Sequence, residues 1–311
     1  MRRLRIGFAA TVTVMAMALV SGACGSSSTG GSAGVASSRP STATTQPAAT
    51  TTTTIAKKEA TEKDFDRNNF DRSTDVDNQW FPLKPGKQLI YDGETKVEGE
   101  RERHRVVFTV TDLTKVVDGV RNVVVWDRDY NAGKLVETEL AFFAQDNDGN
   151  VWHLGQYPEE YENGKLVAAP AWIVGREGAR PGISMRAAPR VGTSSYSQGF
   201  GPKVNWTDRA RVSKTGQRTC VPAGCYDGVL MIDENTRDEP DAHQLKYYAR
   251  GVGNVRVGWA GRDEEQETLV LVKVVQLSPK ELAEVRREAL KLEKRAYAIR
   301  KNVYGHTPPA E

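Results

Sequence analysis

The residues best placed to do chemistry in this chain are two cysteines, Cys220 and Cys225, which bracket Val221-Pro222-Ala223-Gly224. In an oxidising compartment two thiols around a Pro-Gly-type turn form a structural disulfide, whereas a redox pair usually has two intervening residues and a metal site needs two further ligands. A disulfide is the expectation. Asp146-Asn147-Asp148-Gly149-Asn150 offers oxygens at alternate places, as a calcium loop does, but Gly stands fourth instead of sixth and Tyr157 occupies the place of the bidentate Glu. A hairpin turn fits better. Asp238, Glu239, Asp241 and His243 form a denser polar cluster, read as a solvated acidic loop and not as a metal site. None of His104, His153, His243 and His306 lies in a zinc-protease helix motif, and the chain has no nucleophile elbow, phosphate loop or dinucleotide fingerprint. His104 and His153 read as strand residues satisfied by their neighbours. Glu137 and Glu139 share one strand face and would suit glycoside chemistry only in a cleft; an outward, solvated face is expected. Arg101, Arg103 and Arg105 form a row that would meet an anionic partner or simply keep a strand face soluble. The expectation is a non-enzyme with no catalytic residue, metal or cofactor.

Cys24 stands apart from these. It comes after a basic head at Arg2, Arg3 and Arg5, an uncharged apolar run from Ile6 to Val20, and the small residues Ser21, Gly22 and Ala23. These are the parts of a secretory signal, and the run is short for a free-standing bilayer span. The ending resembles the bacterial lipoprotein signal, in which the thiol of the first mature residue carries the lipid anchor; Ser21 stands where Leu is more usual. The resemblance implies cleavage after residue 23, lipidation of Cys24, and attachment to the outer side of a bacterial cell membrane. Residues 24–63 are then a linker rich in Ser, Thr, Ala and Pro, including Thr50-Thr51-Thr52-Thr53-Thr54, with too little apolar bulk to repay the entropy of ordering. This style of tether resembles lipoproteins of high-GC Gram-positive bacteria.

Composition sets outer limits. The 311 residues include 39% hydrophobic positions and 3 Cys, which exclude a multi-span membrane protein and a disulfide-dense miniprotein. The net charge of +3 resides wholly in the three arginines of the signal, so the mature chain carries 40 basic and 40 acidic residues. A neutral protein is not a general nucleic-acid binder, since phosphate contacts rely on concentrated Lys and Arg.

The elements that must position these side chains are strands. Lys84-Pro85-Gly86 is a turn into a strand at 87–92, because Pro presets φ at the second turn position and Gly tolerates positive φ at the third. From Arg101 to Thr111 the chain alternates, with Glu102, His104, Val106, Phe108 and Val110 on one face and the arginine row on the other. Asp118-Gly119, Asn131-Ala132-Gly133, Asp148-Gly149 and Asn163-Gly164 mark successive hairpin corners. Further strands fit 120–130, 135–145, 194–200, 208–213, 226–235, 244–249, 254–259 and 267–277. About eleven strands joined by tight turns, with no helical pattern between them, predict a mainly β fold: an antiparallel meander forming a strongly curved open sheet or incomplete barrel over 64–277.

After Leu277 the period changes. Ser278-Pro279-Lys280-Glu281 is a capping box with Pro at the first helical position, and Leu282, Val285, Ala289, Leu292, Ala296, Ile299 and Val303 recur at steps of three and four. One amphipathic helix over 278–304 is expected, with 305–311 as a tail. Its stripe would dock on the sheet, on a coiled-coil partner or on a membrane surface.

Trp80-Phe81-Pro82-Leu83-Lys84-Pro85-Gly86, Tyr91-Asp92-Gly93, the stretch from Ala144 to Trp152, Pro181-Gly182-Ile183-Ser184-Met185 and the stretch from Lys246 to Gly253 are together similar to a widespread class of exported bacterial β-rich proteins of unknown function. By a looser analogy such proteins look like the curved-sheet carriers that handle lipoproteins and lipids in bacterial envelopes. That analogy implies a lipid or other apolar small molecule on the concave sheet face, in a pocket beneath the helix lined by Val106, Phe108, Leu140 and Phe142. The alternative is a non-enzymatic envelope interaction protein whose curved sheet is filled by its own side chains and whose partner is another envelope protein.

Overall fold

The computed structural model describes residues 59–311; Cys24, the export segment and the linker as far as residue 58 lie outside the described residues. The chain runs through β1 (Lys87–Val97), β2 (Glu100–Val117), β3 (Val120–Asn131), β4 (Lys134–Gln145), β5 (Val151–Glu162), β6 (Lys165–Ala168), β7 (Trp172–Ile173), β8 (Gly182–Met185) and β9 (Tyr196–Ser197). It continues through β10 (Arg209–Val221), β11 (Gly224–Asn235), β12 (Ala242–Ala249), β13 (Gly253–Gly261) and β14 (Thr268–Gln276), and ends in α1 (Pro279–Ile299) and α2 (Lys301–Tyr304). All the paired strands are antiparallel and belong to one sheet, ordered β6-β5-β4-β3-β2-β1-β14-β13-β12-β11-β10-β9, with β7 and β8 also laid on β5. The first strand therefore pairs with the last, and the meander runs outward from that seam in both directions.

The turns follow from local stereochemistry. Glu98-Gly99, Asp118-Gly119, Ala132-Gly133 and Asn163-Gly164 each hold two successive residues at positive φ, the geometry whose twist matches the flanking strands. Lys84-Pro85-Gly86 closes with the Lys87 amide donating to the Lys84 carbonyl at 3.0 Å.

Register shifts at Val110/Thr114, Asp129/Tyr130 and Phe142/Phe143 bend the long strands. The curvature brings the two ends of the sheet together without closing the ladder. Arg180, just before β8, and Phe200, just after β9, exchange two backbone hydrogen bonds at 2.8 and 3.0 Å. A Cβ on Gly182 would lie 1.9 Å from the Gly199 nitrogen, so the seam needs glycine there. The short strands β6 to β9 carry too few alternating residues to be read individually from sequence, and 194–200 pairs in the ladder only at Tyr196 and Ser197.

One end of the curved sheet is closed by the segment before β1. Asn78 fixes it: its amide N–H donates to Gln145 Oε1 at 2.8 Å, while its Oδ1 accepts from the Trp80 N–H at 2.9 Å. Phe81 then stands among Phe143, Phe108 and Tyr248, with ring centroids 5.4, 6.2 and 6.3 Å away.

The helix is capped as the sequence implies, with Ser278 and Glu281 bonding reciprocally. It packs against β2 and β4 through Val285, Ala289, Leu292 and Ala296. It stops at Ile299, which is exposed, and restarts as α2, which buries Val303 and Tyr304. Its anchor is ionic as well as apolar. Lys115 on β2, fully buried, donates to Glu293 Oε1 at 2.7 Å, to Pro308 O at 2.7 Å and to the Tyr297 hydroxyl at 3.1 Å. Arg295 makes a two-toothed contact with Glu159 on β5, with Nε 2.9 Å from Oε1 and Nη2 2.8 Å from Oε2.

Candidate functional site

Alternation along β3 and β4 decides what the concave face presents. Val123, Val125, Asp127 and Asp129 share one side of β3, and register places Phe143, Ala141, Glu139 and Glu137 of β4 directly opposite them. That side is the inner one. The other side, carrying Val124, Trp126, Leu140 and Phe142, lies toward α2: the Phe142 ring is 6.4 Å from Tyr304, and the Lys115 ammonium is 5.9 Å from the Phe142 ring. The sheet thus turns its apolar face to the helix and places carboxylates in its interior.

The interior contains a partly open cavity of about 110 Å³. Phe81, Leu89, Val106, Phe108, Val257 and Leu269 form its apolar wall. Asp127, Asp129, Glu137, Asp208, Glu234 and Glu267 supply carboxyls, and Lys246 is the lysine that reaches it. Lys246 Nζ lies 2.6 Å from Glu234 Oε2, with both side chains more than nine-tenths buried, and Gln198 donates to the other oxygen of Glu234 at 2.9 Å. Burial alone would push the Lys246 ammonium down and Glu234 up; each reverses the other's shift, so the pair is ionised.

Asp127 and Glu139 behave differently. Burial, helped by the charge of Asp129, pushes the Asp127 carboxyl up to about 7, and burial together with Asp127 pushes Glu139 up to about 8. Two carboxyls opposed in a dry setting cannot both ionise cheaply, so at neutral pH the pair retains a proton.

His104 and His153 sit on the same face. His104 lies between Asn131 Oδ1, 2.7 Å from Nδ1, and Glu267 Oε1, 2.9 Å from Nε2; Gln244 donates to the same Glu267 carboxylate. His153 is stacked on Phe143 at 4.8 Å and edged by Trp172 and Trp206, and burial pushes it down to about 3, so it stays neutral.

The sequence-derived candidates separate accordingly. Val106 and Phe108 line the cavity. Leu140 and Phe142 do not: they belong to the opposite face, and the cavity lies inside the sheet with no helix residue in its wall. Glu137 and Glu139, expected on a solvated outer face, point inward, because both faces of β4 are covered. The arginine row is outward and exposed, with Arg101 on Glu94 at 3.3 Å and Arg105 on Asp92 at 2.6 Å. Asp146 satisfies its own turn, accepting from the Asn150 amide at 2.8 Å and the Trp152 indole at 2.8 Å. His243 lies 2.7 Å from Asp233, away from the cavity lining. Among the described residues no group of three or more His, Cys, Asp or Glu side chains is arranged to hold a metal ion. Cys220 and Cys225 face each other in the β10–β11 ladder and are joined as a disulfide. The tip of that hairpin leans on β14, where the Ala223 amide donates to the Leu271 carbonyl at 3.1 Å. Asp127, Asp129 and Glu234 were not singled out from the sequence, and Lys246 figured there only as the start of a similar stretch; a strand that switches from Val-Val-Val to Asp-Arg-Asp at constant period was the available signal for the two aspartates.

No family model matches this chain, and neither does any curated protein. Among solved structures it is similar to a candidate exported protein with a YmcC-like fold from Bacteroides fragilis, at 16% identity and a TM-score of 0.38 over 64% of this chain and 99% of that one. It is also similar to a candidate lipoprotein from Parabacteroides distasonis, at 14% identity and a TM-score of 0.34 over 64% of this chain and all of that one.

Proposed function

We propose that this chain is an exported, membrane-tethered binding protein of the bacterial envelope that holds a small molecule inside its curved sheet and catalyses no reaction on it. The observation that carries the reading is the cavity itself. A sheet filled by its own side chains would leave no such space, whereas this interior pairs an apolar wall with converging polar groups, the usual make-up of a small-molecule site. Export and tethering rest on the apolar segment that ends at Cys24 and on the Cys220–Cys225 disulfide, a bond at home outside the cytosol.

The ligand is not an acyl chain in this reading. The space is smaller than the roughly 150 Å³ that accommodates benzene in an engineered cavity, and hydrocarbon laid against Asp127 and Glu137 would strip their water and return no hydrogen bond. The closed apolar face beneath α1 is already occupied by the protein's own side chains.

Native mass spectrometry with solvent extraction, on protein exported by a bacterial host, tests the binding claim. A reproducible co-purifying small-molecule mass supports it; a clean apo mass favours the interaction protein. Cell fractionation of Cys24→Ser tests the tether: release from the membrane is expected, and continued retention would overturn it.

A further inference from the structure

We infer that the far part of the β10–β11 hairpin, residues 217–227, is a hinged lid over a side entrance to the cavity, swinging on Gly216 and Gly228. The inference rests on the reading of the cavity as a binding site and adds how its occupant enters.

The entrance is a split in the sheet. β13 begins at Gly253 and β14 runs on to Gln276, yet the two pair only at Arg256 with Val270 and at Val257 with Leu269. Beyond Val270 the edge of β14 has no β13 partner, and its backbone groups must be satisfied by something else. Cavity-lining residues flank the split on both sides: Gly253, Asn254 and Val257 on β13, and Leu269 on β14.

What fills the split comes from another part of the sheet. β12 and β13 separate β11 from β14 in the strand order, yet the hairpin tip reaches β14, where the Ala223 amide donates to the Leu271 carbonyl at 3.1 Å. Val221, Ala223 and Tyr226 pack against the apolar cluster that includes Leu89, Tyr91, Val106, Val257 and Leu269, all of them in the cavity wall. Leu271, at the contact, is fully buried.

The hairpin is built to move as a unit. β11 pairs with β12 only from Leu230 to Glu234, and β10 pairs with β9 only at Arg209 and Ala210, so 217–227 is a two-stranded ribbon carried clear of both neighbouring strands. Its base is bulged on each strand. From Lys214 to Gln217 β10 advances three residues against two on β11, and from Gln217 to Thr219 it advances two against three. Gly216 and Gly228 stand at these bulges with φ of 69° and 65°, and a Cβ on either would meet nothing within 4 Å. Glycine serves there for backbone freedom and not for room. A lone two-stranded ribbon is marginal, and the Cys220–Cys225 bond across this one keeps it in one piece. Held shut by the Ala223–Leu271 hydrogen bond and the contacts of Val221, Ala223 and Tyr226, it can part from β14 without the rest of the sheet unfolding.

The test is amide hydrogen exchange by NMR on the mature protein. The Ala223 amide is expected to exchange about a hundredfold faster than the Val174 amide, which donates to the buried Leu154 carbonyl at 2.9 Å, and at a rate insensitive to low denaturant. Gly228→Ala places a side chain at a left-handed φ and is expected to quicken Ala223 exchange about tenfold while leaving Val174 unchanged. Removal of 217–227, joining Gly216 to Gly228, is expected to keep one cooperative unfolding transition and to raise the fluorescence of added anilinonaphthalene sulfonate about tenfold as the apolar wall is uncovered. Exchange of Ala223 and Val174 at one rate with one denaturant slope would overturn the lid, because the tip would then open only with the whole molecule. An unmoved Ala223 rate in Gly228→Ala would overturn the hinge, and unchanged dye fluorescence in the shortened chain would overturn the cover. Exchange in the unaltered protein decides the matter if the shortened chain misfolds. None of these measurements needs a ligand, so the co-purifying mass decides separately whether the cavity is a site.

Discussion

Asp127 on β3 and Glu139 on β4 stand directly opposite each other on the inner face of the sheet, and burial holds both carboxyls well above their ordinary range, near 7 and 8. Asp129, beside them on β3, raises both, and Lys246 on β12 pulls Glu139 the other way. In the unfolded chain both carboxyls lose their protons near pH 4, while the folded protein keeps them until about pH 7 to 8. The folded state therefore binds more protons across that interval, and the pair's contribution to stability falls as pH rises from about 4 to about 8. Asp127→Asn is expected to raise the melting temperature at pH 8 and to change it little at pH 4, a difference read by thermal unfolding at the two pH values. An unchanged pH profile would contradict the shifted pair.

The pair joining the helix to the sheet gives the opposite kind of prediction. Lys115 and Glu293 are 2.7 Å apart and buried, and the Glu293 carboxylate also accepts from the Ala310 amide at 3.0 Å. Glu293→Leu alone leaves a buried ammonium without its counter-charge and is expected to cost roughly 3–5 kcal/mol. The double variant Lys115→Met, Glu293→Leu should recover most of that loss. Denaturant unfolding of the two single variants and the double one measures it; additive losses would mean that the two residues do not act as a pair.

Most of the fold was legible in the sequence because its rules are local. Positive-φ dipeptides mark the hairpins, Ser278 through Glu281 marks the helix start, and the alternation from Glu102 to Val110 gives the correct inner face of β2. What escaped was the meaning of that face. Alternation says which residues share a side of β4 but not which side faces water, and here the docked helix takes the side with Leu140 and Phe142 while the curved interior takes the side with Glu137 and Glu139. The groups that shift Asp127 and Glu139 lie on β3, β4 and β12, and no local pattern brings β12 to β4. The end of the helix at Ile299 was hidden for a similar reason: the apolar stripe continues in sequence through a break at Arg300, so one periodic run supplies two helices.

The seam offers a backbone test. Gly182 lies so close to Gly199 that any side chain would strike its nitrogen at 1.9 Å. Gly182→Ala is expected to part the Arg180–Phe200 bridge and to cost on the order of 3 kcal/mol or more, as backbone clashes in packed regions do. Hydrogen exchange at the Arg180 and Phe200 amides, which donate across the bridge, checks the mechanism: both should lose protection in the variant.

At the hairpin tip, the bond between Cys220 and Cys225 closes a short loop. Replacing both cysteines by serine is expected to cost about 2 kcal/mol on the chain-entropy account of loop closure. Unfolding under non-reducing conditions measures it, and reduction of the wild-type protein should produce a loss of similar size.

A ligand inside the curved sheet is the central claim. A crystal structure of the protein isolated directly from an exporting host, without stripping, tests that claim most plainly. The prediction is density for a small organic molecule within reach of Asp127 and Gln244, with its apolar part against Val106 and Val257. Density for ordered water alone, or an interior collapsed onto its own side chains, would contradict it.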